Sequence, residues 1–145
     1  MTTEAVKEVL IQASPVTIFP YLVDETKLVQ WMGTEAKLDA RSGGIFSSLC
    51  GGVNPAAGRF VEVVPNERVV FTFGWDIPGH PIPAGSSEVE ITLTQQGQGT
   101  MVRLVHRGLP ADATSDHLGG WTYYLDRLTK VVAGQDPGPD RPDLR

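Results

Sequence analysis

The stretch from Asp112 to Val132 constrains this chain more than any other. Trp121, Tyr124, Leu125, Leu128, Val131 and Val132 recur at helical spacings, which draws one apolar stripe along a 3.6-residue helix. Gly119 and Gly120 stand immediately before the largest residue of that stripe. Each glycine costs roughly 1 kcal/mol against alanine inside a helix. The pair therefore predicts a close approach of the helix backbone to a neighbouring element, or a bend. A long late helix with a bare patch beside an indole predicts a lid across a sheet, with room for a cavity beneath.

The sheet is legible upstream. Val6 to Ile11 reads as a first strand. Ser14-Pro15 is a helix start, a serine cap followed by proline at the first helical position, and the helix ends near Val23-Asp24. A second short helix is expected over Glu25 to Trp31, stopped by Gly33. Glu35–Asp39, Ile45–Cys50, Arg59–Val64, Arg68–Asp76, Glu88–Gln95 and Met101–Arg107 then read as strands, rich in branched and aromatic residues between turn signals. Ser42-Gly43-Gly44, Gly51–Pro55, Pro65-Asn66-Glu67 and Gln96–Gly99 are the connections, and Ile77 to Gly85 is a longer exposed loop. Short turns between consecutive strands imply an antiparallel meander with one face to cover. Only the last helix is long enough to cover it. The expectation is one α+β domain over residues 1–133, followed by a flexible tail, 134–145, whose prolines, glycines and charges offer little to bury.

Strand alternation assigns side chains to the covered face. Val69, Phe71, Phe73 and Trp75 share one face; Val89, Ile91 and Leu93 point the same way, as do Val102, Leu104 and, by parity, His106. Phe46, Ser48 and Cys50 are placed inward. For Arg59 to Val64 either Phe60 and Glu62 or Val61 and Val63 face in. Trp31, Phe46, Phe71, Phe73, Trp75, Met101, Trp121, Tyr124 and Leu125 are the candidates for a cavity wall, and His106, Glu62 and Tyr124 are the polar groups able to orient a ligand; His117, one turn before Trp121, either caps the same pocket or flanks the stripe. The commoner role of such aromatics is plain core, and that of His106 a hydrogen-bonded core group. His80 is expected in solvent, and Cys50 as an inert buried thiol.

Composition narrows the function classes. A net charge of −5 with scattered lysines and arginines excludes a phosphate-tracking face, so nucleic acid is not an expected partner. No apolar run is long enough for a membrane span, and the first residues lack the pattern of an export signal. With one cysteine, the expected location is the cytoplasm. Three dispersed histidines and Cys50 give no metal spacing, and no nucleophile elbow, phosphate loop or dinucleotide fingerprint is present, so neither metal nor cofactor is expected.

Ala13-Ser14-Pro15, Leu28 to Trp31, Gly43-Gly44-x-Phe46, Gly58-x-Phe60-x-Glu62-x-x-Pro65-x-x-Arg68-Val69-Val70-Phe71-Thr72-Phe73, His106-Arg107-Gly108-Leu109-Pro110 and His117-x-x-Gly120-Trp121-x-x-Tyr124-Leu125 occur in an order that resembles the START-like (SRPBCC) superfamily. Within it the chain is similar to bacterial single-domain homologues of the C-terminal domain of the activator of the 90-kDa heat-shock chaperone's ATPase. The likeness runs from about Val6 to Val132. It implies the helix-grip fold, a curved antiparallel sheet around a long C-terminal helix with a cavity between them. It also implies an apolar ligand, since superfamily members bind lipids, sterols or polyketides and some are cyclases or hydrolases. The reading is a cytoplasmic binding protein for a small hydrophobic or aromatic molecule, with a homodimer left open. The alternatives are a cyclase- or hydrolase-like enzyme using His106 or Glu62, and a chaperone-interacting module.

Overall fold

A computed structural model describes residues 2–142. The first strand, β1 (Thr2–Ile11), leads into three short helices, α1 (Pro15–Ile18), α2 (Pro20–Val23) and α3 (Glu25–Leu28). The sequence pattern predicts two; Pro20 lacks the N–H that would continue the first and starts a new one. Ser14 caps α1 by accepting from the Thr17 amide, and Asp24 caps α3 through the Thr26 amide. Then follow β2 (Ala36–Leu38), β3 (Ile45–Cys50), β4 (Asn54–Val64), β5 (Arg68–Phe73), β6 (Ser87–Gln96) and β7 (Gly99–Pro110). A single 3-10 turn, Ala111–Ala113, opens onto the helix α4, Thr114–Val132.

The strands form one antiparallel sheet of seven in the order β1-β7-β6-β5-β4-β3-β2. Every step from β2 to β7 is a meander, and β1 closes onto the last strand. The sheet curls around α4, which buries Trp121, Tyr124, Leu125 and Leu128 against it. This is the helix-grip architecture.

The inward parity read from the sequence holds on β3, β5, β6 and β7: Phe46, Phe71, Phe73, Val89, Ile91, Val102, Leu104 and His106 are all buried. The open parity of β4 resolves into both alternatives. A bulge between Phe60 and Glu62 consumes one residue, so Phe60 faces in opposite Phe71, while Val63 faces in opposite Val69 and Glu62 turns outward opposite Val70. Met101, a wall candidate, also lies outward. It sits opposite Leu10 and Thr94, and its neighbour Val102 takes the inner face.

The outer face carries charge. Arg68 pairs with Glu62 and Glu90, and Arg107 with Glu88 and Glu90. Glu90 sits between the two guanidinium groups, and the hydrogen bond from Arg107 is the main reason its carboxyl lies below its usual range. No described helix is long and apolar enough to cross a membrane.

The segment after Ala133, expected to lie free, folds back on the domain as far as Pro142. Arg127, buried in α4, donates to the carbonyls of Pro137, Gly138 and Pro139 as well as Trp31. Residues 143–145 lie outside the described residues.

Candidate functional site

The inner face of β5 continues past its end. Gly74 lets Pro83 approach so closely that a side chain at that position would collide with the Pro83 carbonyl. Trp75 then bridges to Ala56 and Pro83, keeping the alternation begun by Phe71 and Phe73. On α4, His117, Gly120, Trp121 and Tyr124 follow one another at helical spacing and face these rings. Between the two rows is a cavity of about 170 Å³. Phe73, Trp75, His117, Gly120, Trp121 and Tyr124 line it, together with Met32, Cys50, Asn54, Asp116 and Pro142. An outer cleft of about 400 Å³ shares Trp75, His117, Asn54 and Asp116 with it and extends to Ile77, His80, Ile82 and Asp112.

Gly120 overturns its expected role. A Cβ built there meets nothing within 4 Å, so the bare backbone leaves open space and makes no tight helix–sheet contact. The missing side chain is itself part of the chamber.

Two histidine–tryptophan pairs hold the aromatic wall. The Trp121 indole N–H donates to His106 Nδ1 at 2.9 Å, and His106 Nε2 lies 2.7 Å from Ser87 Oγ. Ser87 gives its own proton to the Phe73 carbonyl at 2.7 Å, so the hydrogen on His106 resides on Nε2. Burial, helped by the neighbouring His117, pushes the His106 pKa down to about 3. The Trp75 indole N–H donates to His117 Nε2 at 3.3 Å, while His117 Nδ1 is 2.9 Å from the Ala113 carbonyl one turn earlier. That leaves the hydrogen on Nδ1. His106 is sealed behind Trp121, whereas His117 lines the chamber with both ring nitrogens engaged.

The structure thus divides the sequence candidates. Phe73, Trp75, His117, Trp121 and Tyr124 converge on the chamber. Trp31, Phe46, Phe71 and Leu125 are core: Trp31 donates its indole N–H to the Tyr21 carbonyl, and Phe46 stacks on Phe71 with centroids 4.0 Å apart. His106 stands behind the wall with both ring nitrogens engaged and no exposed surface. Glu62 and Met101 are on the opposite face of the sheet. His80, expected in solvent, is half-buried in the outer cleft, where its Nδ1 accepts from the Ile82 amide.

Sequence reading missed Met32, Asn54, Asp116 and Pro142 as wall residues. A strand start at Ser87, one residue earlier than expected, hid the serine that fixes His106. Cys50 is buried as expected; burial pushes its thiol up to about 11, which keeps it protonated and unreactive. Its neighbour Tyr124 is raised in turn by burial, by Cys50 and by Asp140. Among the described residues no group of His, Cys, Asp and Glu is arranged to hold a metal.

Comparison with known proteins agrees with this architecture. Residues 12–133 match the family model described as activator of Hsp90 ATPase homolog 1-like protein. An AHSA1-like protein from Rhizobium etli, solved by solution NMR, is 41% identical over 97% of this chain and 88% of its own, with a TM-score of 0.73. A crystallised protein of the dynemicin biosynthetic locus superposes with a TM-score of 0.81 at 19% identity, covering 94% of this chain; the chain spans only 50% of that protein's length. An Aha1 dimer from Colwellia psychrerythraea superposes at 0.76 with 19% identity, over 90% of this chain and 96% of its own. The last two likenesses speak to fold alone. No curated protein matches the chain. By sequence and by fold, the chain belongs to the activator of Hsp90 ATPase homolog 1-like family, within the START-like superfamily.

Proposed function

We propose that this protein binds a small hydrophobic or aromatic molecule in the chamber between α4 and the sheet. One observation carries the reading: the helix omits a side chain at Gly120, beside Trp121, and the gap is walled by Phe73, Trp75 and Tyr124. An apolar cavity of about 150 Å³ elsewhere accepts a benzene ring, so this chamber accommodates roughly one aromatic ring, with more of a ligand lying in the outer cleft. Flat faces on Trp75 and Trp121 offer stacking worth about 0.5–1.5 kcal/mol per pair beyond burial.

An acid–base enzyme built on His106 or Glu62 is not favoured. His106 has no free nitrogen or exposed surface, and Glu62 is bound to Arg68 on the outer side. A chaperone-docking module would call for a broad apolar outer patch, whereas β4 to β7 present Glu62, Arg68, Glu88, Glu90 and Arg107 there. The proposed setting is the cytoplasm, with which the free thiol of Cys50 is compatible. The Colwellia dimer supports, as a further proposal, a homodimer that sedimentation velocity would test.

The decisive experiment is titration with a panel of one- to three-ring hydrophobic compounds while following tryptophan emission. Saturable change is expected. It should shrink in Trp75→Phe and in Trp121→Phe but persist in Trp31→Phe, whose indole is in the core. Absence of binding across the panel would sink the reading.

A further inference from the structure

The Asp140 carboxylate sits in a cradle of four uncharged donors. Its Oδ2 accepts from the backbone N–H groups of Gly33 and Gly51, each at 2.9 Å, and from the Tyr124 hydroxyl at 3.1 Å. Its Oδ1 accepts from the Tyr123 hydroxyl at 3.1 Å. These donors come from the turn after α3, the turn after β3 and the middle of α4. Gly33 and Gly51 both have positive φ, +83° and +63°, the turn geometry glycine allows without strain.

Every one of these groups belongs to the domain proper, whereas the carboxylate arrives on the segment that follows α4. That segment is anchored independently of Asp140, through Arg127 and the carbonyls of residues 137–139. The cradle also adjoins the chamber. Tyr124 lines the chamber and gives its hydroxyl to the cradle, and Met32 and Cys50, the chain neighbours of Gly33 and Gly51, line the chamber too.

Four donors converging on two coplanar oxygens match an ionised carboxylate, which accepts only and has about four lone-pair positions. The donors' lack of charge suits a single negative charge rather than a phosphate dianion, which recruits arginine or lysine. We propose that the cradle is a carboxylate-binding site beside the chamber, reached past the Tyr124 hydroxyl and filled in cis by Asp140, and that its ligand is a small organic acid whose apolar body occupies the chamber. Asp140 acts as a built-in competitor. The ligand must displace one side chain while Arg127 keeps the segment after α4, residues 134–142 and here called the strap, in place. This deepens the chamber-binding reading and rests on it.

The test uses the full chain and a matched pair of probes, 3-phenylpropanoate and its neutral amide, followed by the NMR amide signals of Gly33 and Gly51. In Asp140→Ala both signals should move upfield as their acceptor is lost. The acid should return them downfield saturably, and bind about tenfold more tightly than the amide and about tenfold more tightly than it binds the unaltered chain. Tyr123→Phe in the Asp140→Ala background should reduce that preference. If Asp140→Ala does not fold, Asp140→Asn keeps the shape of the side chain, and since its neutral amide competes less well for the four donors, the acid should still bind it more tightly than it binds the unaltered chain. Equal binding of acid and amide, or acid binding that leaves both glycine signals unmoved, overturns the carboxylate site and leaves the chamber reading standing. Failure of both probes to bind Asp140→Ala overturns the carboxylate site, while the chamber reading stands or falls with the wider hydrophobic panel.

Discussion

Because Ser87 spends its proton on the Phe73 carbonyl, His106 can be neutral in only one tautomer, and a second proton would have to displace the Trp121 N–H from Nδ1. The consequence is acid sensitivity. The folded pKa, about 3, lies below the ordinary 6.5, so the unfolded chain takes up the proton first as pH falls. Stability from this residue is whole above pH 6.5 and is lost as pH falls from 6.5 toward 3, at about 1.4 kcal/mol per pH unit. Urea unfolding of the natural chain should therefore lose about 2 kcal/mol between pH 7 and pH 5. His106→Gln, though less stable at pH 7, should show a flatter profile; parallel profiles would refute the assignment. Gly120 supports a second prediction. With open space at its Cβ, Gly120→Ala should gain roughly 1 kcal/mol from helix propensity in thermal melts. Gly120→Leu should stay folded and lose the fluorescence response, because its side chain would occupy the chamber. Neither role could be read from sequence. A glycine beside a tryptophan looks the same whether the neighbouring space is crowded or empty, and the parity that placed His106 inward does not name its partners.

At the scale of elements, alternation and capping carried far. Strand faces on β3, β5, β6 and β7 follow from residue order alone, since one buried face enforces the register. Patterning left the face open, or failed, where the backbone breaks its own period. The bulge at Val61 reverses the face of Glu62, and Pro20 splits one expected helix into two. It failed again at 134–142, because hydrophobic patterning cannot see docking that runs through backbone carbonyls and one carboxylate. The strap's dependence on Arg127 can be measured. Arg127→Ala should destabilise by about 2–4 kcal/mol, as a buried guanidinium with four acceptors is removed. In a chain truncated after Ala133 only the Trp31 carbonyl remains as its acceptor among these, so the same substitution should cost about 1–2 kcal/mol less. Strict additivity of truncation and substitution would show that the strap contributes nothing through this residue.

For the molecule as a whole, the fold was legible because seven strands of clear pattern leave one face that a single helix can cover. The chamber was legible only as a consequence of that fold, since its volume depends on which side chains are missing. Its position couples ligand to global stability: the walls belong to α4 and to the sheet, and unfolding separates them. A molecule bound there stabilises the folded state by about 2.7 kcal/mol at a hundredfold excess over its Kd. For a domain of this size each kcal/mol raises the Tm by roughly 2–4 °C, so a saturating chamber ligand should shift the melt by about 5–10 °C. The shift should grow logarithmically with concentration and vanish in Gly120→Leu. It should be larger for an acid in Asp140→Ala than in the unaltered chain, where the strap's own carboxylate competes. A shift that survives Gly120→Leu unchanged would place the ligand elsewhere, on the outer face or in the cleft beside Ile77, and detach function from the space that Gly120 keeps open.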